Sequence, residues 1–214
     1  MAAKEYDAAI ATYQSLIPQV TDRGKGELWA HIGEAYRLKR EFAMSLLAFE
    51  KAFTLVPDDP RVASNLGMLY EAQNDKVQAR QYYEKAIAID PNNPLVLNNL
   101  AFLLTEVDGD LNLALTYARA AQAKQPNSPE IADTVGWIDL KKNMIPGAIA
   151  EFHKVTLLAP DNPVYHYHYA MALKQLGNLT EEAKECQAAL SHGPTKDLEA
   201  KLKADCAGSL PEKK

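Results

Sequence analysis

Five prolines, Pro57, Pro91, Pro126, Pro160 and Pro194, are spaced by 34, 35, 34 and 34 residues. Three residues after each of the first four stands a second proline: Pro60, Pro94, Pro129 and Pro163. The intervening pairs are Asp58-Asp59, Asn92-Asn93, Asn127-Ser128 and Asp161-Asn162. Proline lacks an N–H and clashes with the preceding turn, so the first proline closes a helix. A short polar side chain then accepts hydrogen bonds from the free N–H groups that open the next helix. The second proline has a φ already suited to that first turn. A fixed period near 34 residues marks a chain built from repeated supersecondary units.

Alignment on these prolines gives five units, 26–59, 60–93, 94–128, 129–162 and 163–194. Counting from the first residue of each, position 4 holds Trp29, Ala63, Leu97, Ala132 and His166, and position 7 holds Ile32, Leu66, Leu100, Val135 and Tyr169. Position 8 holds Gly33, Gly67, Ala101, Gly136 and Ala170, and position 11 holds Tyr36, Tyr70, Leu104, Asp139 and Leu173. These positions form one stripe on a helix, and the small residue at position 8 lets a paired helix come close.

The second half of each unit predicts another amphipathic helix. It carries Phe42, Ser45, Phe49 and Ala52 in the first unit, Ala79, Tyr83 and Ala86 in the second, and Ile145, Ala148, Phe152 and Val155 in the fourth. Inserting one residue in the turn brings the third and fifth into line as Leu111, Ala114, Ala118 and Ala121, and as Ala183, Gln187 and Leu190. Asp108-Gly109-Asp110 and Gly177-Asn178 are the turns expected to absorb it.

Read along 29–57, the residues Trp29, Ile32, Gly33, Tyr36, Ser45, Phe49, Ala52 and Pro57 resemble the tetratricopeptide repeat pattern W-x2-L-G-x2-Y…A-x3-F…A-x4-P. The resemblance runs over 26–194, with Ser45, Asp139 and His166 departing from it. It implies an all-α fold, a right-handed α-solenoid of helix-turn-helix repeats. Residues 1–17 read as a partial repeat, its second helix only, with Tyr6, Ala9, Tyr13 and Leu16 on the template. A linker, 18–26, should follow, with Arg23-Gly24-Lys25-Gly26 a basic turn. A capping helix is expected over 195–208, opened by Thr195 and bearing Leu198 and Leu202, and a disordered tail over 209–214.

In this family the first helices line a concave groove through positions 2, 5, 9 and 12. Position 9 here runs Glu34, Met68, Phe102, Trp137 and Met171, an apolar row where solvent would be expected. Such a row marks a partner site, with methionine adaptable and tryptophan a frequent anchor. The candidate groove residues are Arg61, Asn65, Met68, Asn98, Asn99, Phe102, Asp133, Trp137, Tyr167 and Met171, the asparagines being suited to an extended peptide's backbone. The bland reading is that the row is internal packing. Some relatives clamp a chaperone tail's carboxylate with Lys and Asn at positions 5 and 9. Ala30 and Glu34 stand there instead, so that clamp is not expected.

Catalytic motifs are missing: there is no phosphate-binding loop, zinc-protease helix or nucleophile elbow. No enzyme activity, cofactor or metal site is expected. The run Tyr165-His166-Tyr167-His168-Tyr169 places alternate imidazoles on opposite sides of a helix, so His166 should pack and His168 should sit at the groove edge. A net charge of −5 argues against nucleic acid as a partner, including for an RNA-reading helical repeat. No apolar run approaches the ~20 residues that insert in a membrane. The expected partner is a protein or peptide. The segments Leu97–Ala101 and Asp133–Trp137 look like those of bacterial repeat proteins that serve envelope, secretion or polysaccharide machinery. The alternative reading is a non-catalytic regulatory or substrate-presenting arm of a larger enzyme or envelope complex. The start carries no secretory signal, so the default is cytoplasmic, or periplasmic if a signal has been removed.

Two cysteines remain, Cys186 and Cys206. A hairpin turning near Gly193 would set Cys206 about six residues past the level of Cys186, roughly 9 Å at ~1.5 Å per residue. That exceeds the ~7 Å a disulfide spans, so two free thiols are expected.

Overall fold

The computed structural model describes residues 2–107 and 109–208, with side chains from Glu5 onward. Among them are twelve α-helices and no strand. They are α1 (Ala2–Leu16), α2 (Asp22–Leu38), α3 (Phe42–Leu55), α4 (Pro60–Ala72), α5 (Lys76–Ile89) and α6 (Pro94–Val107). Then follow α7 (Leu111–Lys124), α8 (Pro129–Lys141), α9 (Ile145–Leu158), α10 (Pro163–Leu176), α11 (Leu179–Ser191) and α12 (Lys196–Asp205). The 209–214 tail lies outside the described residues. The chain divides into two compact units, Met1–Leu100 and Ala101–Lys214. In the first, α2 pairs with α3 and α4 with α5, and α1–α2 and α3–α4 contacts join the hairpins. In the second, α8 pairs with α9 and α10 with α11, joined through α7–α8 and α9–α10.

The polar residue before each second proline does what its chemistry dictates. The carboxylate of Asp59 accepts from the Arg61 N–H, Asn93 from Leu95 and Val96, Ser128 from Ile131, and Asn162 from Val164. Within each hairpin the turn hinges on a single left-handed residue: Arg40, Asn74, Gly109, Asn143 and Gly177, with φ between 59° and 83°. The next residue's N–H reaches back to the carbonyl of Tyr36, Tyr70, Asp139 or Leu173 in four of these turns, closing the exposed end of the helix.

Inside each hairpin the second helix presents a three-residue seam. It is Ser45, Phe49 and Ala52 in α3, Ala79, Tyr83 and Ala86 in α5, Ala114, Ala118 and Ala121 in α7, and Ala148, Phe152 and Val155 in α9. In α11 the seam is Glu182, Cys186 and Ala189, not Ala183, Gln187 and Leu190. The left-handed residue Gly177 follows Asn143 by 34 positions, so the fifth turn has no insertion, and every seam residue sits one place earlier than expected. The insertion in the third repeat is real: Gly109 follows Asn74 by 35.

Two further expectations fail. Arg23-Gly24-Lys25-Gly26 is not a turn but lies within α2, which Thr21 caps by accepting from the Gly24 N–H. Gly26 is buried there because a Cβ would stand 2.8 Å from Val56. Nor are the cysteines free: Cys186 and Cys206 form a disulfide, with Cα atoms 6.4 Å apart. Counting levels assumed that α12 lies along α11. Instead α12 touches α10 as well, and Leu198, Leu202 and Cys206 pack with Tyr167, Ala170, Cys186 and Ala189. Tyr167 donates to Asp205, and the Lys174 ammonium to the Asp205 carbonyl, fixing the end of α12 on α10.

Candidate protein-binding site

In the first unit, α2 and α4 frame a cavity of about 350 Å³. Ala30, Val62, Met68 and Leu95 supply apolar wall, and Glu27, Glu34, Arg37, Asp59, Arg61 and Asn65 the polar rim. Three of the sequence candidates, Arg61, Asn65 and Met68, therefore meet at one place. The rim charges are largely paired. Arg37 forks onto Glu34 at 2.7 and 2.6 Å, and Arg61 onto Asp59 at 3.1 and 2.8 Å. Burial pushes the Asp59 carboxyl up, but hydrogen bonds from Arg61 outweigh it and hold that group below the usual carboxylate range. Asn65 donates to the Arg61 carbonyl one turn back, at 2.9 Å.

The two asparagines of α6 diverge. Asn98 is partly buried, and its Oδ1 is shielded from solvent with no hydrogen-bond partner. Asn99 does not face outward for a peptide: its amide bonds the hydroxyl of Tyr83 on α5, which itself donates to Glu71 at 2.7 Å. A side chain that satisfies a buried phenol is unavailable to a ligand backbone.

In the second unit Phe102 is the most open member of the apolar row, 39% exposed. Trp137 is half-buried, its ring stacked on His168 at 4.5 Å with the Lys141 ammonium 5.2 Å from its centroid. Asp133 orients that imidazole, accepting from His168 Nδ1 at 2.8 Å. Asp133, Trp137 and His168 thus form one cluster, and His168 is mostly covered rather than set at an open edge. The first repeat also carries histidine at this position, but there His31 stacks on Tyr13 at 5.4 Å, so the position alone does not signal the pairing with Trp137. Met171 packs partly buried beside the α12 cluster. Tyr167 is not an open wall residue: α12 covers it, and its hydroxyl donates to Asp205 at 2.7 Å.

His166, on the other side of α10, is buried between two acceptors. Its Nδ1 meets Glu185 at 2.6 Å and its Nε2 meets the Pro160 carbonyl at 2.7 Å. Only an imidazolium donates from both nitrogens, and the Glu185 hydrogen bond, with help from the carbonyl, raises its pKa against the opposing effect of burial.

Hairpins of this length, capped and hinged at one period, define a helical-repeat protein. Models of the tetratricopeptide repeat match residues 60–93 and 82–125. The chain carries tetratricopeptide repeats over these residues, and its fold class is an all-α solenoid of such repeats. FlbA of Caulobacter vibrioides is 29% identical over 178 residues, 83% of this chain but 30% of FlbA, so the chain spans under a third of that relative's length. Among solved structures, YrrB, a tetratricopeptide repeat protein with an unusual peptide-binding site, aligns at a TM-score of 0.70 and 18% identity, over 90% of this chain and 97% of YrrB. PilF of Pseudomonas aeruginosa aligns at 0.69 and 18%, over 88% and 89%.

Proposed function

We propose that this chain is a protein-interaction scaffold or assembly factor whose first-helix faces hold an extended segment of a partner protein. The observation that carries the reading is the α2–α4 cavity, where Met68 and Leu95 form an apolar wall inside a rim of internally paired charges. A cavity of about 350 Å³ accommodates one or two apolar side chains, with Arg61 and Asn65 beside the backbone that delivers them. The exposed Phe102 ring offers a second apolar contact in its own unit. The peptide-binding site attributed to YrrB supports the same use of the fold. The chain's coverage of under a third of FlbA favours a second reading, a regulatory or substrate-presenting arm of a longer protein.

A peptide library displayed against the chain tests this. Selected peptides should share apolar residues, and Met68→Glu should weaken their binding at least about tenfold, a loss of ~1.4 kcal/mol. Phe102→Ala should weaken it less, with helicity retained in both variants. Peptides whose affinity is indifferent to Met68→Glu would remove the cavity from the binding site.

A further inference from the structure

The seam of the fifth hairpin breaks the rule of the other four. Where Glu182 stands, the earlier hairpins have Ser45, Ala79, Ala114 and Ala148; where Cys186 stands, they have Phe49, Tyr83, Ala118 and Phe152. Glu182 and Cys186 are four residues apart on α11 and share one face, and the end of α12 brings Cys206 to the same point. All three are fully buried, and their ligand atoms lie within 4.8 Å of one another. Among the described residues this is the one cluster of three or more such groups that close. A staple between α11 and α12 needs only the two sulfurs. The carboxylate beside them, in a cluster otherwise made of Tyr167, Ala170, Ala189, Leu198 and Leu202, is not part of that bond.

We infer that Glu182, Cys186 and Cys206 form a metal site when the disulfide is reduced, taking one zinc-class divalent cation. A dithiol or phosphine reductant supplies two electrons and the S–S bond breaks; the dithiol passes its two protons to the sulfurs and becomes a disulfide, or water gives its oxygen to the phosphine oxide and its two protons to the sulfurs. The two thiols then give up their protons to solvent as the cation binds both sulfurs and a carboxylate oxygen. Ligand distances of ~2.3 Å to sulfur and ~2.0–2.2 Å to oxygen hold donors about 3.5 Å apart, so small side-chain movements close the site. Two thiolates favour zinc or cobalt over magnesium or calcium. Three protein ligands leave a fourth position for water or another donor. The α11–α12 junction thereby has two alternative staples, a disulfide under oxidising conditions and a metal under reducing ones.

The full chain, reduced with a phosphine under anaerobic conditions and titrated with Co²⁺, provides the test. The expected result is thiolate-to-cobalt charge-transfer absorption that saturates at one ion per chain and is displaced by Zn²⁺. Cys186→Ser and Cys206→Ser should each abolish the two-thiolate spectrum. Glu182→Ala places in α11 the residue that α5, α7 and α9 carry, so it keeps the hairpin seam intact. It should retain the charge-transfer band while losing at least about tenfold in affinity, the least that even an outer-shell partner contributes. Circular dichroism of each reduced sample confirms the fold. A helical, reduced chain without the band overturns the site, and unchanged cobalt affinity in Glu182→Ala overturns the carboxylate's part in it.

Discussion

Gly67 in α4 lies so close under the ring of Tyr83 in α5 that a Cβ on it would stand 2.5 Å from Cδ1. The relationship recurs: a Cβ at Gly33 would meet Phe49 at 2.8 Å, and one at Gly136 would meet Phe152 at 2.7 Å. In the third and fifth repeats, where the residue at position 8 is Ala101 or Ala170, the seam residue is the smaller Ala118 or Cys186. A methyl group appears only where the ring is absent. Close-packed interiors impose this trade of volume across a helix pair.

Gly67→Ala is therefore expected to cost about 1–3 kcal/mol by overpacking. Tyr83→Ala should cost about 3–5 kcal/mol by leaving a cavity and stranding its partners Glu71 and Asn99. The double variant, which reproduces the alanine pair of the third repeat, should be destabilised by less than the sum. Urea denaturation followed by circular dichroism measures all three, and additive losses would show that the seam is not coupled through volume.

Arg40 holds φ at 63°, the left-handed conformation that Gly109 and Gly177 adopt in the equivalent turns. A Cβ in that conformation costs roughly 1–2 kcal/mol. Arg40→Gly should raise stability by about 1 kcal/mol, offset in part by the freedom glycine gains when unfolded. Thermal melts decide it; a lowered melting temperature would mean that the arginine side chain contributes more than its backbone strain costs.

The buried His166 makes the α10–α11 hairpin sensitive to pH. Its pKa is raised in the folded chain, chiefly by Glu185, so its stabilisation is complete below the unfolded value of ~6.5 and is lost as pH rises through the folded value. His192 stacks on the same ring at 5.5 Å, and Asp161 lies 3.7 Å from His192. His166→Gln should cost about 1–3 kcal/mol near ~pH 5.5, where the charged ring makes both hydrogen bonds, and less near ~pH 9. Melting curves of wild type and variant at the two pH values give the comparison; an equal gap at both would show that the ring's protonation does not change between them.

Much of the architecture is legible in the chain itself. The proline pairs, the polar cap before each helix and the stripe through Ile32, Leu66, Leu100 and Val135 are local demands of helix ends and helix faces. They recur every 34 or 35 residues, so each repeat corroborates the rest. The candidate groove was less legible. Met68 and Arg61 meet at a cavity as the period suggests, but Asn99 rotates inward to Tyr83 and Tyr167 disappears beneath α12. A position on a helical wheel gives an angle about the axis and not the rotamer or neighbour that fills it.

The amino-acid sequence alone determined that this protein is a series of helical hairpins and, in the first four, which residues of the second helix form the inner seam. Those requirements are steric and act within a hairpin, so they repeat with the chain. Only the tertiary structure decided that Cys186 meets Cys206, that Glu182 lies beside them and that His168 lies over Trp137. These contacts arise once each, between side chains that the repeat does not pair elsewhere. They depend on where α12 settles against α10 and α11, and on side-chain geometry that no periodic pattern carries.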